Sequence, residues 1–499
     1  MTAIVISALS LAFVVYIVVG FYLGRRTKAV GDLLPLTLSR NARVNNSTEF
    51  STSTVATTIS LATVVIAFFE LAQRFGIWLF WTVITTSIGL FVVRMFAVKI
   101  WERMSVYDHR PTLHEFLGRE FNSNALSYVG ALCTSLGFLG AFAVELTVGS
   151  KFFAGLVPGV SEWAVVIVLS AVAFIYTAVG GFRAVIVTDR IQMISIRLLL
   201  VALVAFYIYY ALSHGSIADS IAKIPSQTLT FSYRQSLVPF LLGIFAINVP
   251  AFMSDMSIWQ RIAAAQENKT VTAGLGRSVL SSAVTWSLFA VLACFAFMMV
   301  APQKATNPLI SVLNLIGSMK GPFAIAVLFI VVLGLYGAML STASTQLIAV
   351  SHTLYEDVFS RIRKKTLANR LDSKKELRIS RLILILAALI STIFVQVLSA
   401  VGFSIADLVF AIYGAQLGLC PLVIVCLCMK RERLRRLSFG AVLAISAGFL
   451  TGWGTAIYGR LTNNTDIVFL APVSSLLVSS ILLSAGFLVS NANRPKGRT

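Results

Sequence analysis

The amino-acid sequence predicts an all-α protein that crosses a membrane many times. Hydrophobic residues make up 58% of its 499 positions and charged residues 12%, whereas roughly 25% of a soluble domain is charged. Apolar stretches recur along the whole chain, and each is long enough to cross a hydrocarbon core roughly 30 Å thick. The mean hydropathy of +0.87 agrees with this pattern. A soluble globular fold is therefore excluded.

Thirteen apolar segments are predicted to be transmembrane helices. Several exceed the length of one straight crossing, which indicates tilt, breaks or extensions into water. The first has neither an upstream basic region nor a small-residue cleavage site, so we expect a membrane anchor rather than a signal peptide. The polar segment 213–233 is expected to form a short lid or hairpin. The predicted spans are 4–23, 48–73, 77–100, 125–156, 163–179, 185–212, 235–262, 272–300, 321–357, 379–400, 403–428, 437–457 and 466–490.

The net charge of +20 is concentrated in loops between these spans. If the N-terminus lies outside, most of the 40 lysines and arginines fall in inner loops, and this positive-inside bias places the C-terminus in the cytoplasm. We therefore predict an integral protein of the cell (inner) membrane, whose basic segments face the lipid bilayer and not nucleic acid. These segments are GRRTK (24–28), RIRKKTLANRLDSKKELRISR (361–381), KRERLRR (430–436) and NRPKGRT (493–499).

Cysteine and histidine show no chelating pattern. All five cysteines fall within predicted spans without a CxxC pair, and the four histidines lack ligand spacing. Small apolar packing is the expected role of the cysteines, and neither a disulfide framework nor a transition-metal site is predicted. Since no catalytic constellation is visible at one membrane face, we do not expect an enzyme.

Polar residues interrupt the apolar pattern in five predicted spans, and such interruptions mark functional sites in membrane proteins. One of them is GAMLSTASTQ (337–346), in the ninth span. In that segment Ala338, Ser341, Thr342 and Thr345 share one helical face, and Ser344 adjoins it. The other interruptions are EFSTSTVATTISLATVV (49–65), Glu145 in FAVELTVG, Asp189 in GGFRAVIVTDRIQ (180–192), and a break expected at Asn248-Val249-Pro250 in the seventh span.

Each interruption also has a purely structural interpretation. Serine and threonine hydroxyls in membrane helices often bond to the carbonyl four residues back or join neighbouring helices. Thr188 and Asp189 can cap a helix N-terminus, and the segment from Asn248 to Pro250 can form a simple kink. Glu145 can face a polar seam or be neutral when buried, and no role is assigned to it.

The clustering of the hydroxyls favours an ion site. Hydroxyls and carbonyls with few charges suit a hard monovalent cation, because hard cations take oxygen ligands, and Na⁺ is the obvious candidate. The small Ala56 in ATTIS (56–60) would leave carbonyls accessible if the helix unwinds there. Inverted-repeat transporters place such sites where a broken helix meets a helix of the other repeat. Spans two to six (48–212) and seven to eleven (235–428) can be read as two such repeats.

The chain resembles the sodium/solute symporter family through four segments in the same order. TLHEFLGREF (112–121) is similar to its Thr-Leu-x-Glu-Phe-Leu loop, with His114 where proline is usual. GGFRAVIVTDRIQ (180–192) resembles its Gly-Gly-x-x-Ala-Val-x-x-Thr-Asp-x-x-Gln segment, and SDMSIWQRIAAAQ (254–266) its Gln-Arg-x-x-Ala-Ala stretch. AMLSTAST, followed by LYEDVF (354–359), resembles the ion-site helix and the Glu-Asp motif at its end.

The resemblance implies a five-plus-five inverted repeat core with one leading helix and two trailing helices. It also implies a shared sodium site and, in some members, a second one. A carboxylate is expected in the second site, since a buried carboxylate needs a cation partner. The implied segments are 1–30 (leading helix and basic inner loop), 48–212, 235–428, 437–490 (accessory helices) and 491–499 (cytoplasmic tail). The implied shared site is Ala56, Ile59, Ala338, Ser341 and Thr342, and the second is Asp189, Ser341, Ser344 and Thr345.

A solute pocket is expected beside the ion, between span two and the broken seventh span. Asp255 can contact solute, but a gate or a structural ion pair is an equal interpretation. No arginine is evidently placed to clamp a solute carboxylate, because Arg94, Arg190 and Arg197 can snorkel to a membrane edge. The expected lining residues are Thr57, Thr58, Ser60, Asn248, Phe252, Ser254 and Asp255.

The predicted function is secondary active transport, in which inward movement of Na⁺ is coupled to uptake of a small organic solute by alternating access. One alternative is a transporter-like sensor that reports solute to a separate signalling partner. Another is a proton-coupled symporter with Glu145 or Asp189 as the carrier. We expect a monomer or a weak oligomer.

Overall fold

The computed structural model describes residues 1–36, 39, 42–302, 307–361, 373–401 and 405–492. The predicted all-α class is confirmed, because within these residues the regular structure is helical and the one extended pairing is an isolated bridge between Val44 and Ala265. Residues 493–499 of the predicted tail 491–499 and residues 362–372 of the basic connector 361–381 lie outside the described residues.

Helices α1 to α21 follow one another along the chain, with short π or 3₁₀ turns between some of them. The α-helices are α1 (Thr2–Gly24), α2 (Val30–Leu33), α3 (Ser47–Thr58), α4 (Ala67–Phe75), α5 (Phe80–Ser105), α6 (Leu113–Glu120), α7 (Asn124–Leu156), α8 (Glu162–Ser213), α9 (Ile217–Ala222), α10 (Leu237–Ser254), α11 (Met256–Ala264), α12 (Asn268–Phe295), α13 (Pro308–Ser318), α14 (Pro322–Thr353), α15 (Ser373–Val401), α16 (Ile405–Gln416), α17 (Cys420–Cys428), α18 (Arg431–Arg436), α19 (Ser438–Leu461), α20 (Thr465–Phe469) and α21 (Ala471–Ala492).

Eleven segments of the described chain are long and apolar enough to cross a membrane. The segment Glu162–Ser213 contains both the fifth and the sixth predicted spans, and its backbone breaks at Gly181, where φ is 65° and ψ is −160°. A Cβ there would meet Leu33 O at 2.7 Å, so both the left-handed backbone and the close packing favour glycine. Likewise, Leu61–Ser105 contains Gly76 at φ 53°. The count of thirteen spans stays a prediction.

The second predicted span is broken in its middle. Helix α3 begins at the Asn46 cap, whose side chain accepts from Glu49 N at 2.9 Å, and ends at Thr58. Ile59 and Ser60 are non-helical (φ/ψ −102°/82° and −82°/144°), and a π-helix follows over Leu61–Ile66. The unwinding expected at ATTIS is therefore present.

The seventh predicted span is also broken, but not at Asn248-Val249-Pro250. Helix α10 continues through Pro250 to Ser254, and the break comes at Asp255, where φ is −77° and ψ is 109°. Neighbouring helices hold the proline turn. The Asn248 amide donates to Thr85 Oγ1 at 3.0 Å, and the Cys420 thiol donates to Pro250 O at 3.2 Å. Proline is tolerated in a membrane helix when neighbours bond to its surroundings in this way.

The two broken helices are joined at the ends that we predict to be cytoplasmic. Val44, just before α3, donates its N–H to Ala264 O at 3.0 Å, at the end of α11. The indole of Trp101 on α5 donates to Ala265 O at 2.9 Å. These bonds fix the chain before the first break to the chain after the second.

The segment between α8 and α10 forms no hairpin. It contains the short helix α9, which begins with a capping box between Ser216 and Asp219, and a 3₁₀ turn at Ser226–Thr228. The expected lid or hairpin at 213–233 is therefore helical where the chain has regular structure.

Helices α8 and α14 pack closely and form the central wall of the protein. Small residues permit the approach: a Cβ on Gly337 would lie 2.5 Å from Ser195 Oγ. Helix α1 covers this pair, with Tyr16 in ring contact with Tyr176 of α8 and Tyr336 of α14. The packing fixes the position of the hydroxyl-rich half of α14.

A polar network ties α6 to neighbouring segments on the predicted cytoplasmic side. The buried Glu120 receives Arg431 Nη2 at 2.6 Å and Nε at 3.0 Å. The buried Asp357, in the π-helix Leu354–Ser360, receives Thr112 Oγ1 at 2.7 Å and lies 3.2 Å from His114 Nδ1. The loop between α5 and α7 is thereby attached to the end of α14.

In the same loop, His109 Nε2 lies 2.8 Å from Glu115 Oε2. Burial disfavours the charged form of Glu115, but the bonds to His109 and Arg119 outweigh it and lower the pKa of Glu115 to about 2. The bond to Glu115 raises the pKa of His109 above its usual 6.5. The contribution of Glu115 to the free energy of unfolding is lost as the pH falls below 4.5, the usual pKa of a glutamate. The contribution of His109 is lost as the pH rises above 6.5, the usual pKa of a histidine.

We expect His109→Gln to lower the melting temperature of the purified protein more at about pH 5.5 than at about pH 9, because a histidine with a raised pKa contributes its full stability only below the unfolded-state pKa of 6.5. Thermal unfolding at the two pH values measures the difference. His214→Gln, on the opposite side of the predicted membrane, is the matched control. An equal shift for His109→Gln at both pH values would contradict the charged pair.

Candidate functional site

The hydroxyl-rich face of α14 lies against the broken end of α3. Ser341 Oγ is 2.9 Å from Ala56 O and 3.0 Å from Ala338 O, and Thr342 Oγ1 is 3.4 Å from Thr57 O. All of these side chains except that of Thr57 are buried. The structure thus brings together the two elements that were expected to share an ion.

Ile59 lies at the break itself. Its N–H bonds to Ala56 O at 3.2 Å, and its side chain is fully buried. Ser341 Oγ links three of the five predicted shared-site residues, Ala56, Ala338 and Ser341 itself, and Ile59 is joined to them through Ala56. The fifth, Thr342, bonds instead to Thr57 O, next to Ala56.

The oxygen ligands available at this contact fit Na⁺. It consists of carbonyl and hydroxyl oxygens, which are the ligands that hard cations prefer. The hydroxyls now donate to carbonyls, and a cation between α3 and α14 would take both kinds of oxygen as ligands. No carboxylate, histidine or cysteine is among the predicted ligands, so nothing here favours a transition metal.

The predicted second site contains a side chain that the sequence reasoning missed. Asp189 Oδ2 is 3.3 Å from Arg261 Nη2 and receives Ser53 Oγ at 2.5 Å. The same Arg261 Nη2 donates to Thr345 Oγ1 at 3.2 Å, and its Nε donates to Ser53 Oγ at 2.8 Å. The guanidinium therefore joins two of the predicted ligands, Asp189 and Thr345.

The other two predicted ligands of this site bond elsewhere. Ser344 Oγ bonds to Ser341 O at 3.3 Å, within α14, and Ser341 Oγ bonds to Ala56. Asp189 Oδ1 is buried and has no hydrogen-bond partner in the described structure. The other oxygen of this carboxylate, Oδ2, is held by Arg261 and Ser53.

Asp189 does not cap a helix. It lies within the part of α8 that follows Gly181, more than one turn from that break, and Thr188 Oγ1 bonds back to Ala184 O at 2.8 Å. The capping interpretation of Thr188 and Asp189 is wrong. The rule that a buried carboxylate needs a cation could have identified Arg261, because this arginine lies in the quoted segment 254–266.

Glu145 caps the second half of the broken helix. Its carboxylate accepts from Ser60 Oγ and, at 3.4 Å, from Ala62 N. Unpaired N–H groups and the positive end of the helix dipole favour a carboxylate at a helix N-terminus. Glu145 is completely buried, and its contact with Ser60 attaches the break to α7.

A cavity of about 140 Å³ lies between the two broken helices, α5, α12 and α16. Six of the seven predicted solute residues line it: Thr57, Thr58, Ser60, Asn248, Phe252 and Asp255. Ser254 does not. Its side chain is buried and donates to Ala251 O at 3.1 Å.

Further lining residues were not among the predicted solute contacts. Thr63 and Thr82 add hydroxyls, Trp286 and Tyr413 add aromatic walls, and Gln346 adds an amide. Thr342 and Thr345 also reach this cavity, so the predicted ion-site helix and the predicted solute pocket share residues. Among the lining residues that the structure describes, Asp255 is the one charged side chain.

Comparisons with known proteins agree with this architecture. The model of the "Sodium:solute symporter family" matches residues 43–448. The sodium/sialic acid symporter NanT of Aliivibrio fischeri is 22% identical over 393 residues, covering 77% of this chain and 75% of that protein.

Solved structures share the fold at low sequence identity. A Na⁺-coupled sialic acid symporter in a substrate-bound, outward-open state superposes with a TM-score of 0.75, at 20% identity and 99% coverage of both chains. MHP1, a nucleobase-cation-symport-1 family transporter, gives a TM-score of 0.56 at 13% identity, covering 93% of this chain and 96% of the other. A manganese transporter of Eremococcus coleocola gives 0.53 at 15% identity, covering 90% and 100%.

These likenesses confirm the helical transporter fold and the integral membrane location. The family match covers most of the chain, including both broken helices and the hydroxyl-rich helix α14. The chain belongs to the sodium:solute symporter family.

Proposed function

We propose that this protein is a secondary active transporter that couples inward Na⁺ movement to the uptake of a small organic solute by alternating access. The observation that carries the proposal is the contact of Ser341 Oγ with Ala56 O at 2.9 Å. It joins the open end of a broken helix to a helix of the other proposed repeat with oxygen ligands alone. The proposed orientation has the N-terminus outside and the C-terminus in the cytoplasm.

Sodium would act in this cycle by joining α3 to α14. With the ion bound, the break at Ile59 is fixed, and the adjacent hydroxyls of Thr57, Thr58 and Ser60 are held at the cavity. Solute then binds a preorganised surface. Because ion and solute each favour the other's binding by the same factor, the Na⁺ gradient can drive the solute.

We expect Ser341→Ala and Thr342→Ala to weaken Na⁺ binding at least about tenfold, because each removes a hydroxyl ligand and hydrogen bonds to charged groups contribute about 1.5–3 kcal/mol. Titration of the purified protein with ²²Na⁺, or the thermal shift on replacing choline by Na⁺, measures this without knowledge of the solute. Ser446→Ala, which removes a hydroxyl bonded within α19, is the matched control. Unchanged Na⁺ affinity in both variants would refute the shared site.

A second ion at Asp189 would change the energetics of transport. Each charge moved through 100 mV supplies roughly 2.3 kcal/mol. Two ions supply about 4.6 kcal/mol, or about three decades of solute accumulation before the sodium gradient is counted. We propose that a second Na⁺ binds Asp189 only as Arg261 withdraws, since the guanidinium now occupies the carboxylate and Thr345.

This proposal predicts that Arg261→Gln strengthens Na⁺ binding at the second site, because it removes the competing cation. Asp189→Asn should reduce the number of bound ions by one. Removing one partner of a buried ion pair lowers the free energy of unfolding by about 3–5 kcal/mol, because the other charge is left unpaired. The double variant Asp189→Asn/Arg261→Gln removes both charges and therefore serves as a folded reference. The measurement is the ²²Na⁺ stoichiometry of the purified protein. An unchanged stoichiometry in Asp189→Asn and in the double variant would leave Asp189 with a structural role alone.

The cavity favours a small uncharged polar solute. Its hydroxyls and amides offer hydrogen bonds between aromatic walls, and its one charged lining residue in the described chain is the acidic Asp255. An anionic solute would meet this carboxylate without a basic partner at the cavity wall. Sialic acid, the solute named for two relatives, carries a carboxylate that this cavity does not complement.

A thermal-shift screen of a solute library, with Na⁺ and with choline, tests whether the solute is neutral and whether its binding depends on Na⁺. We expect neutral polyols or amides to raise the melting temperature in Na⁺ only, since ligands that bind the folded form stabilise it. We expect no shift with sialic acid. The hit should then accumulate in proteoliposomes only with an inward Na⁺ gradient. Binding without such uptake would favour the sensor alternative.

Proton coupling remains the second candidate because of Glu145. This carboxylate is fully buried at the break, and within the described structure no basic side chain is paired with it. If it carried the coupling proton, uptake of the identified solute would continue in choline at fixed pH and would depend on a pH gradient. Sodium-dependent uptake leaves Glu145 as the cap of the helix break.

A further inference from the structure

A large apolar groove lies on the surface of the protein that faces the membrane. Its volume is about 640 Å³, several times that of the central cavity. Helix α17 forms one wall with Ile424, helix α21 forms the other with Leu483 and Phe487, and the Pro250 turn of α10 forms the floor. Such a groove in contact with hydrocarbon is filled by a lipid chain or by another apolar surface, because an empty one forfeits dispersion contacts.

The groove has the length of one membrane leaflet. Along α21 its lining runs from Leu476 to Leu488, which at about 1.5 Å per residue is a rise of roughly 18 Å. One leaflet is about half of a hydrocarbon core roughly 30 Å thick. A single extended acyl chain fits these dimensions.

The groove ends at a cluster of positive charge. Met429 and Leu437 line it, and the short helix α18 between them carries Arg433, Arg435 and Arg436. All three arginines are exposed, and in the described structure none of them has a hydrogen-bond or ion-pair partner. They stand where a lipid headgroup would meet the end of an acyl chain in the groove.

We propose that the groove and α18 together form a binding site for an anionic glycerophospholipid. One acyl chain lies between α17 and α21, and the phosphate pairs with Arg433, Arg435 and Arg436. A second copy of the chain is a poorer occupant, because a two-fold interface about the membrane normal would bring its own three arginines close to these. A neutral lipid would leave the cluster without a counterion.

The floor of the groove connects this lipid to the central cavity. The Cys420 thiol, which lines the groove, donates to Pro250 O at 3.2 Å. On the other side of the same turn, Asn248 and Phe252 line the central cavity. An acyl chain against Pro250 therefore packs behind the helical turn that carries two of the proposed solute contacts, and it would support that turn where proline removes a backbone hydrogen bond.

The test uses the full chain in detergent and native mass spectrometry, with phosphatidylglycerol and phosphatidylcholine of identical acyl chains. Each basic residue near the surface favours anionic lipid about five-fold, so the wild type should prefer phosphatidylglycerol by at least about tenfold. The triple variant Arg433→Gln/Arg435→Gln/Arg436→Gln should lose this preference. Arg25→Gln/Arg26→Gln/Lys28→Gln, which neutralises three basic positions after α1 on the same predicted side, is the matched control and should retain it.

Two further arms locate the site and identify the source of the phosphate. Phosphatidylglycerol with a photoreactive group on the acyl chain should label residues 476–488, and the groove-filling variant Ser480→Phe should abolish this labelling. Inorganic phosphate or glycerol phosphate at the same concentration should neither compete with the lipid nor raise the melting temperature. Equal binding of the two lipids by the wild type, retained preference in the triple variant, labelling elsewhere, or competition by free phosphate would each overturn the proposal.

Discussion

The structure depends on one constraint, which is that a backbone unwound inside a membrane must find partners for its polar groups. At the first break the partners come from two directions. Ser341 of α14 bonds to the Ala56 carbonyl in the last turn of α3, and Glu145 of α7 accepts from Ser60 and Ala62 at the start of the next helical segment. Neither hydroxyl nor carboxylate has a role in apolar packing. The cluster of polar residues in the middle of apolar helices follows from the need to complete this break.

The same constraint explains why the second break lies where it does. Pro250 removes a helical hydrogen bond, but the amide of Asn248 and the thiol of Cys420 hold the surrounding turn in helical form. Asp255 supplies its own cap by accepting from Ser257 N at 2.7 Å, so the chain can leave the helix there. The break occurs at the residue that can satisfy the freed N–H groups and not at the residue that removes one.

Sequence reasoning reached the fold class, the break at ATTIS and the hydroxyl face because each of these is encoded locally. Apolar length, helical spacing and a run of small polar residues are properties of neighbouring positions. It placed the second break at a proline because the partners of that turn, Thr85 and Cys420, lie far away in the chain. It left Glu145 without a role and missed Arg261 on Asp189 for the same reason, since these contacts join residues 85 and 72 positions apart. The one lining threonine of α5, Thr82, was missed because its contact with Asn248 of α10 joins residues 166 positions apart.

The bridge that joins Val44 to the end of α11 has a consequence for how such a molecule can open. The start of the first interrupted helix and the end of the second are held to each other by main-chain pairing between Val44 and the end of α11. The Trp101 indole of α5 donates to Ala265 O in the same segment. We propose that these joined ends move together, so that a path to the predicted cytoplasmic side opens between them and the wall of α8 and α14, where Arg261 pairs with Asp189. On this proposal, a cation that replaces the guanidinium at Asp189 would free the joined ends as it binds.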